Sequence, residues 1–301
     1  MGAPLVIGVD LGGTKTLAGI VDRDGRVHAR HEVETPEGSQ EDVLAALDAA
    51  VEVLLDDRIG AIGYGVPSNL ERRTGRVLRA TNLPLDDFDL AAHARARFGL
   101  PVGIENDANA ATLAEWKLGA GKDASTLVML TLGTGVGGGI VLDGRLYRGW
   151  AEIGHIVVQA NGPRCQGNCH GRGHLETLAS GTAADRAAAE LFGPEADAHV
   201  LVERARSGDV AAAARLAEIA AFLGAAIGSL ANLFDPELVV IGGGFGEAAG
   251  DLLLEPAQEC ARREALSPAD EMLRVVSAEL GSDAGLAGAG LVAFEALDGA
   301  W

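Results

Sequence analysis

Gly19-Ile-Val-Asp-Arg-Asp-Gly-Arg-Val27 and Gly139-Ile-Val-Leu-Asp-Gly-Arg-Leu146 are one hairpin written twice, allowing a single gap. In each copy an apolar strand runs into Asp-Gly, a dipeptide suited to tight hairpin turns. A glycine turn precedes each: Asp10-Leu-Gly-Gly-Thr-Lys15 ahead of the first, Gly133-Thr-Gly135 ahead of the second. Asp-Gly turns are common, so one match carries little. Two glycine turns and two Asp-Gly turns in the same order make internal duplication the better reading. Around the first copy, Leu5–Val9, Leu17–Val21 and Val27–Val33 read as an antiparallel meander. Around the second, Leu127–Leu132, a strand to Leu142 and Leu146 repeat it.

Both meanders are followed by βα units. Leu44, Leu47, Val51, Leu54 and Leu55 recur at helical spacing. Ala61–Val66 and Val102–Glu105 read as strands, and Leu90–Phe98 and Ala108–Leu118 as helices. In the second half come alanine-rich helices from Thr182 to Ala221, a strand at Leu238–Ile241 and a short one at Val275–Val276. Gly285–Gly290 opens a final small-residue helix. The expectation is an α/β chain of two lobes with a cleft between them. Residues 1–118 form the smaller lobe, rejoined by the C-terminal helix (about 288–301), and residues 119–287 form the larger.

Chemistry concentrates in four places. The N–H groups of Gly12, Gly13 and Thr14 could cradle phosphate oxygens, with Lys15 nearby for charge and Asp10 able to hold Mg²⁺ directly or through water. An ordinary hairpin is the alternative. The matching turn at Thr134 and Gly135 favours phosphate, because two such turns facing one cleft could grip opposite sides of a triphosphate. Gly242-Gly-Gly244 follows a strand, so the backbone at Gly243 and Gly244 could pass close to a nucleotide base, or simply turn tightly. Glu105-Asn106-Asp107 ends a strand just before a helix, where Asp107 is either a base for a substrate hydroxyl or, like Asn109, a helix cap. Asn82, Asn106, Glu152, His155 and Glu176 supply the polar ring a sugar requires.

The segment from Glu152 to Glu176 holds two of the three cysteines and three of the seven histidines. Cys165, Cys169 and His174 follow Cys-x3-Cys-x4-His spacing, with His155 ahead of them. Thiolate and imidazole are the donors that tetrahedral zinc prefers, so these four residues are the expected ligands of a structural Zn²⁺. His170 competes with His174.

The chain has 301 residues and a formal net charge of −19. Such acidity argues against nucleic acid, an anionic membrane or a long polyanion as partner. With two cysteines committed to metal and Cys260 alone, no disulfide framework is expected, and a reducing cytoplasm fits. No signal peptide is visible. The uncharged, alanine- and leucine-rich run Ile219–Phe234 is shorter than the ~18–20 residues of a membrane span and reads as a buried helix between domains. The many glycines beside strands suggest close backbone approach to a ligand.

Over essentially its full length the chain resembles the bacterial glucokinases of the ROK family (repressor, open reading frame, kinase). Asp10–Lys15 matches the family's phosphate motif, Gly133–Gly139 continuing to Glu152-x-Gly-His155 its long signature, Glu105–Asn109 its catalytic segment and Cys165–Glu176 its zinc motif. The resemblance implies two ribonuclease-H-like lobes of the actin-like ATPase type. It implies Asp107 as the base at the sugar 6-hydroxyl, with Asn82, Asn106, Glu152, His155 and Glu176 on the other hydroxyls, and ATP with Mg²⁺ at Asp10 and the glycine turns. A homo-oligomer, dimer or tetramer, is also implied. The chain departs from the family in carrying His174 where a third cysteine is usual. N-acetylglucosamine, N-acetylmannosamine or fructose could replace glucose, and polyphosphate could replace ATP. Sugar-responsive repressors of the family carry a helix-turn-helix ahead of the phosphate motif, for which no room is expected here. Actin-like filament or chaperone ATPases lack the zinc motif.

Overall fold

The first meander consists of β1 (Leu5–Leu11), β2 (Lys15–Val21) and β3 (Val27–Glu34), all antiparallel. The structure is a computed structural model describing residues 4–71, 74–80, 83–167 and 169–300. After β3 comes α1 (Gln40–Glu52), started by a capping box in which Asp42 N–H donates to Ser39 Oγ and Ser39 N–H donates to the Asp42 carboxylate. β4 (Ile59–Val66) then pairs parallel to β1. A small antiparallel sheet follows: β5 (Ser68–Glu71), β6 (Arg76–Ala80) and β7 (Asp86–Asp89). No strand was expected there, because these segments are short and studded with Glu71, Arg76, Arg79 and Asp86, which blur the alternation a strand would show. α2 (Leu90–Phe98) is closed by Gly99 in the left-handed region. β8 (Val102–Asn106) joins the sheet beside β4, and α3 (Asp107–Leu118) follows it directly.

The second sheet repeats the first. β9 (Leu127–Leu132), β10 (Val136–Leu142) and β11 (Arg145–Leu146) form its meander. The helices α4 (Leu175–Ala179), α5 (Gly181–Phe192), α6 (Ala198–Arg206) and α7 (Val210–Phe234) come next, then β12 (Leu238–Gly242) parallel to β9. α8 (Gly244–Ala249), α9 (Asp251–Glu264) and α10 (Ala269–Met272) lead to β13 (Val275–Ser277), parallel to β12. The strand orders β3-β2-β1-β4-β8 and β11-β10-β9-β12-β13 are the same topology, as the repeated hairpin implied. The first compact unit is Met1–Leu118 with Asp283–Trp301, and the second is Gly119–Ser282.

α7 has the length and hydropathy of a membrane span, but it is not the inter-domain helix expected from the sequence. It lies in the core of the second unit, where Leu216, Leu223 and Ile227 pack with Leu253 and Ala257 of α9. Gly224 and Gly228 let the two helices approach closely, since a Cβ at either would fall within 3 Å of α9 atoms.

α11 (Ala284–Leu297) returns to the first unit, starting ahead of residue 288. The ladder registers place Gly19, Gly8, Gly63 and Gly103 side by side across four adjacent strands. A methyl on Gly8, Gly63 or Gly103 would strike the α11 backbone, at Gly63 only 1.9 Å from Ala289 O. These strand glycines therefore admit a helix, where a ligand was expected. Ile7, Val9 and Leu11 on the opposite face pack with Leu44, Leu47 and Val51 of α1. Gly63→Ala is expected to destabilise the protein to denaturant by at least ~2–3 kcal/mol, the cost of overpacking against backbone that cannot yield. Gly13→Ala, where a methyl meets nothing within 4 Å, should stay within ~0.5 kcal/mol of wild type.

Candidate active site and metal centre

In the first unit the site is built on strand ends. Asp10, near the end of β1, has its carboxylate against Gly285 of α11, where a Cβ would sit 2.3 Å from Oδ2. Gly65 on β4 lies between the two acids: a Cβ there would be 3.7 Å from Asp107 Cα and 3.8 Å from Asp10 Oδ1. Burial, and secondarily the charge of Asp107, push the Asp10 carboxyl up to about 6. Burial likewise pushes Asp107 up, against hydrogen bonds from the Ala108 and Asp107 amides and the Asn106 side chain.

The helix cap is not Asp107. Asn106 Oδ1 accepts from Asn109 N–H at 3.0 Å and so caps α3, while Asp107 Oδ1 accepts the adjacent Ala108 N–H at 2.9 Å. The sequence singled out Asn106 as a sugar ligand. Here its amide also spans to Ser68 O at 3.5 Å. Glu105, to which no role was given, is buried and accepts from Asn106 N–H and Asn109 Nδ2 at 3.1 Å each, so it fixes the segment from behind. Its signal was an acid closing an otherwise apolar strand. Asn82 lies outside the described residues.

The turn Gly12-Gly13-Thr14 is closed by Gly12 N–H donating to Lys15 O at 2.9 Å. Gly13 has open space around it. Lys15 is exposed and donates to Glu32 Oε1 at 2.7 Å. Two carbonyls of the turn are held by Thr35: its N–H donates to Thr14 O at 2.9 Å and its Oγ1 to Gly12 O at 2.8 Å.

In the second unit Gly133 N–H closes its turn onto Gly135 O, and Glu176 Oε2 accepts from Val136 N–H at 3.2 Å. A Cβ on Gly135 would lie 2.1 Å from that oxygen, so the carboxylate fills the space glycine leaves. Gly243 takes a left-handed φ of 83° against the Leu132 backbone, which the fold alone explains, whereas Gly244 faces open space. Glu152 precedes a 3-10 turn, Ile153–His155, that packs on β10 through Gly154.

The segment from Val157 to His174 folds as an irregular hairpin, with bridges Val157↔His174 and Arg164↔Arg172. It gathers four donors, from His155, Cys165, Cys169 and His174, within 4.8 Å of one another. The two Nδ1 atoms are 3.2 Å apart, and the pairs Cys165 Sγ–His155 Nδ1 and Cys169 Sγ–His174 Nδ1 are each 3.6 Å apart. Tetrahedral zinc, with Zn–N of about 2.0–2.1 Å and Zn–S of about 2.3 Å, spaces its donors about 3.3 Å (N···N) and about 3.6 Å (N···S) apart. The donor set fits that ion. Gly171 N–H donates to Cys169 Sγ, and the Gly171 position leaves room for the His174 ring. His174 is buried and His170 exposed. His155 turns Nδ1 into the cluster, so Nε2 is on the ring's other edge.

A pH effect follows from Asp10. Its carboxyl is raised in the folded state, so the folded protein binds more protons than the unfolded between about pH 4 and 6. Without added Mg²⁺ or nucleotide, stability is expected to fall as pH rises through that window, by up to about 3 kcal/mol. Asp10→Asn should remove that contribution to the slope and melt higher than wild type at pH 8, with no difference at pH 4. Equal melting temperatures at pH 8 would contradict this.

Two units with one strand order, each opening on a glycine hairpin, define the actin-like ATPase fold of the ROK sugar kinases. The chain belongs to the ROK family, whose model matches residues 6–296. It is 37% identical to a glucokinase of Streptomyces coelicolor, over 97% of this chain and 98% of that protein. A ROK family glucokinase from Streptomyces griseus, solved in complex with glucose and AMPPNP, aligns with a TM-score of 0.85 at 36% identity, over 97% of this chain and 99% of that one. A ROK family transcriptional regulator, a homolog of the E. coli MLC protein, aligns with a TM-score of 0.89 at 28% identity, over 99% of this chain and 80% of that one.

Proposed function

We propose that this chain is a glucokinase, transferring the γ-phosphoryl group of ATP to the 6-hydroxyl of glucose. The fold does not decide this, because a regulator shares it. The observation that carries it is Asp107: a carboxylate at the start of α3, relieved of capping by Asn106, beside a second acid and raised above its ordinary value. A carboxyl that burial raises above its ordinary value is the stronger base, and so is suited to accept a hydroxyl proton.

Asp107 takes the proton of the 6-hydroxyl as that oxygen attacks the γ-phosphorus. The bond from γ-phosphorus to the β,γ-bridging oxygen breaks, leaving glucose 6-phosphate and ADP. Asn82, Asn106, Glu152, His155 and Glu176 hold the remaining hydroxyls. The turns at Gly12–Lys15 and Thr134–Gly135, with Gly243 and Gly244, hold the nucleotide. Mg²⁺ at Asp10 would supply positive charge for the triphosphate, and the raised Asp10 carboxyl fits a site that lacks a counter-ion. Zn²⁺ held by His155, Cys165, Cys169 and His174 would be structural, since all four positions come from protein. The same reading makes the partners small molecules, with neither nucleic acid nor membrane, places the enzyme in the cytoplasm and makes it a dimer or tetramer.

A hexose panel assayed with ATP and with polyphosphate tests the proposal. The highest kcat/KM is expected for glucose with ATP. A higher value for an N-acetylhexosamine, or for polyphosphate as donor, would replace it with a different kinase.

A further inference from the structure

A glycine turn offers little stiffness of its own, because glycine restricts its backbone least. Gly12-Gly13-Thr14 nevertheless has both of its outer carbonyls engaged by one residue beyond the end of β3. Thr35 N–H donates to Thr14 O at 2.9 Å, Thr35 Oγ1 donates to Gly12 O at 2.8 Å, and Oγ1 also lies 2.9 Å from Thr16 Oγ1. The Thr35 and Thr16 side chains are buried, at 6% and 1% exposure, so the bond between their hydroxyls is shielded from water. Pro36 follows Thr35 and disfavours a helical backbone there. A trans peptide sets its C=O and N–H on opposite sides. Holding Gly12 O toward Thr35 therefore turns the Gly13 N–H away from it, and holding Thr14 O does the same for Lys15 N–H.

The second unit repeats the device with different elements. Gly181 N–H donates to Gly133 O at 2.8 Å, and Thr182 Oγ1 donates to Thr134 O at 2.8 Å. In both turns two carbonyls are held by one backbone N–H and one threonine hydroxyl. The donors are of the same kind, although the hydroxyl takes the leading carbonyl in the first turn and the following one in the second, and one threonine follows a strand while the other sits in the first turn of a helix.

We propose that Thr35 is a positioning residue for the nucleotide: it sets the peptide planes of the Gly12–Lys15 turn so that the amide donors are aimed before the phosphates arrive. The proposal rests on the reading of that turn as a phosphate site. Preorganised donors bind more tightly because the ordering cost is met in folding. The role concerns the nucleotide and not the sugar, and this separates it from general loss of structure.

The test uses full-length protein, with Mg·AMPPNP titrated calorimetrically and KM measured for ATP and for glucose. Thr35→Val keeps the shape and the N–H but removes the hydroxyl. It is expected to raise the Kd for Mg·AMPPNP and the KM for ATP about tenfold, as loss of net favourable hydrogen bonding on that scale would, with glucose KM within twofold of wild type. Thr35→Ser, which keeps the hydroxyl, should restore both to within about twofold. If Thr35→Val does not fold, Thr16→Val, which removes only the buttress to Oγ1, should raise the Kd about threefold. An unchanged Kd in the folded variant, a glucose KM rising in step with that for ATP, or no rescue by serine overturns the proposal. Wild type that binds Mg·AMPPNP but phosphorylates no hexose overturns the proposed function, and the Kd ratio then still decides the role of Thr35. Wild type that binds no nucleotide overturns both.

Discussion

Asp107→Asn is expected to lower kcat by ~10²–10⁴-fold, the usual worth of a general base. The amide keeps the carboxylate's shape, and its oxygen can still accept the Ala108 N–H that Asp107 Oδ1 accepts at 2.9 Å. The cap of α3 is untouched, since Asn106 provides it. Melting temperature and glucose affinity should therefore stay close to wild type while turnover collapses. Wild-type activity should itself fall as pH drops through the raised Asp107 carboxyl, because a protonated acid cannot take the hydroxyl proton. The measurements are kcat, a glucose titration and a melting curve. A variant that keeps more than about a tenth of wild-type kcat would remove Asp107 from the role of base, on the same scale.

Replacing Cys165 or Cys169 with Ser is expected to lower bound zinc from about one per chain to near zero, because a neutral hydroxyl is a poor substitute for thiolate. The hairpin from Val157 to His174 has two isolated bridges and, among its described residues, no named strand, so a bound ion would add a cross-link that its irregular backbone lacks. A loss of about 3 kcal/mol corresponds to a fall of about 6–12 °C in melting temperature for a unit of this size. Glucose KM should rise at least about tenfold, since a bound ion would fix the His155 ring and, through His174, the start of α4 that carries Glu176, and ordering of a ligand's supporting groups commonly carries that much affinity. The KM for ATP should move less. His174→Ala should match the cysteine variants, and His170→Ala should match wild type. Zinc-free protein with unchanged glucose KM and melting temperature would end the structural-metal reading.

The duplicated fold was readable because strands of five to seven apolar residues and Asp-Gly turns leave a period that one sequence can match against itself. The small sheet from Ser68 to Asp89 was not readable, since its strands are short and mix charge with apolar residues. At the site, chemistry-bearing residues were legible wherever type and spacing coincide, as in the Cys/His cluster and around Asp107. Partners were not. That Asn106 rather than Asp107 caps α3, that Glu105 braces the segment, and that Thr35 holds the glycine turn depend on contacts that no local spacing encodes. The glycines on β1, β2, β4 and β8 were the clearest misreading. Proximity of backbone was inferred correctly, but the neighbour is a helix from the far end of the sequence.

A ribosome delivers the row Gly19, Gly8, Gly63 and Gly103 long before it delivers the helix that lies on it. Residues 119–282 form a continuous unit made in between, so that unit can complete its core while the first sheet is still bare on one face. At the usual ~5–20 residues per second, the interval from Leu118 to Ala284 lasts on the order of 10–30 s. During that time Val6, Val21 and Ala61 lack the cover that Ala293 and Phe294 later provide, and glycines cannot supply it. The opening strands of the chain are thus among the last to be finished, and they are where a nascent protein would most need a chaperone.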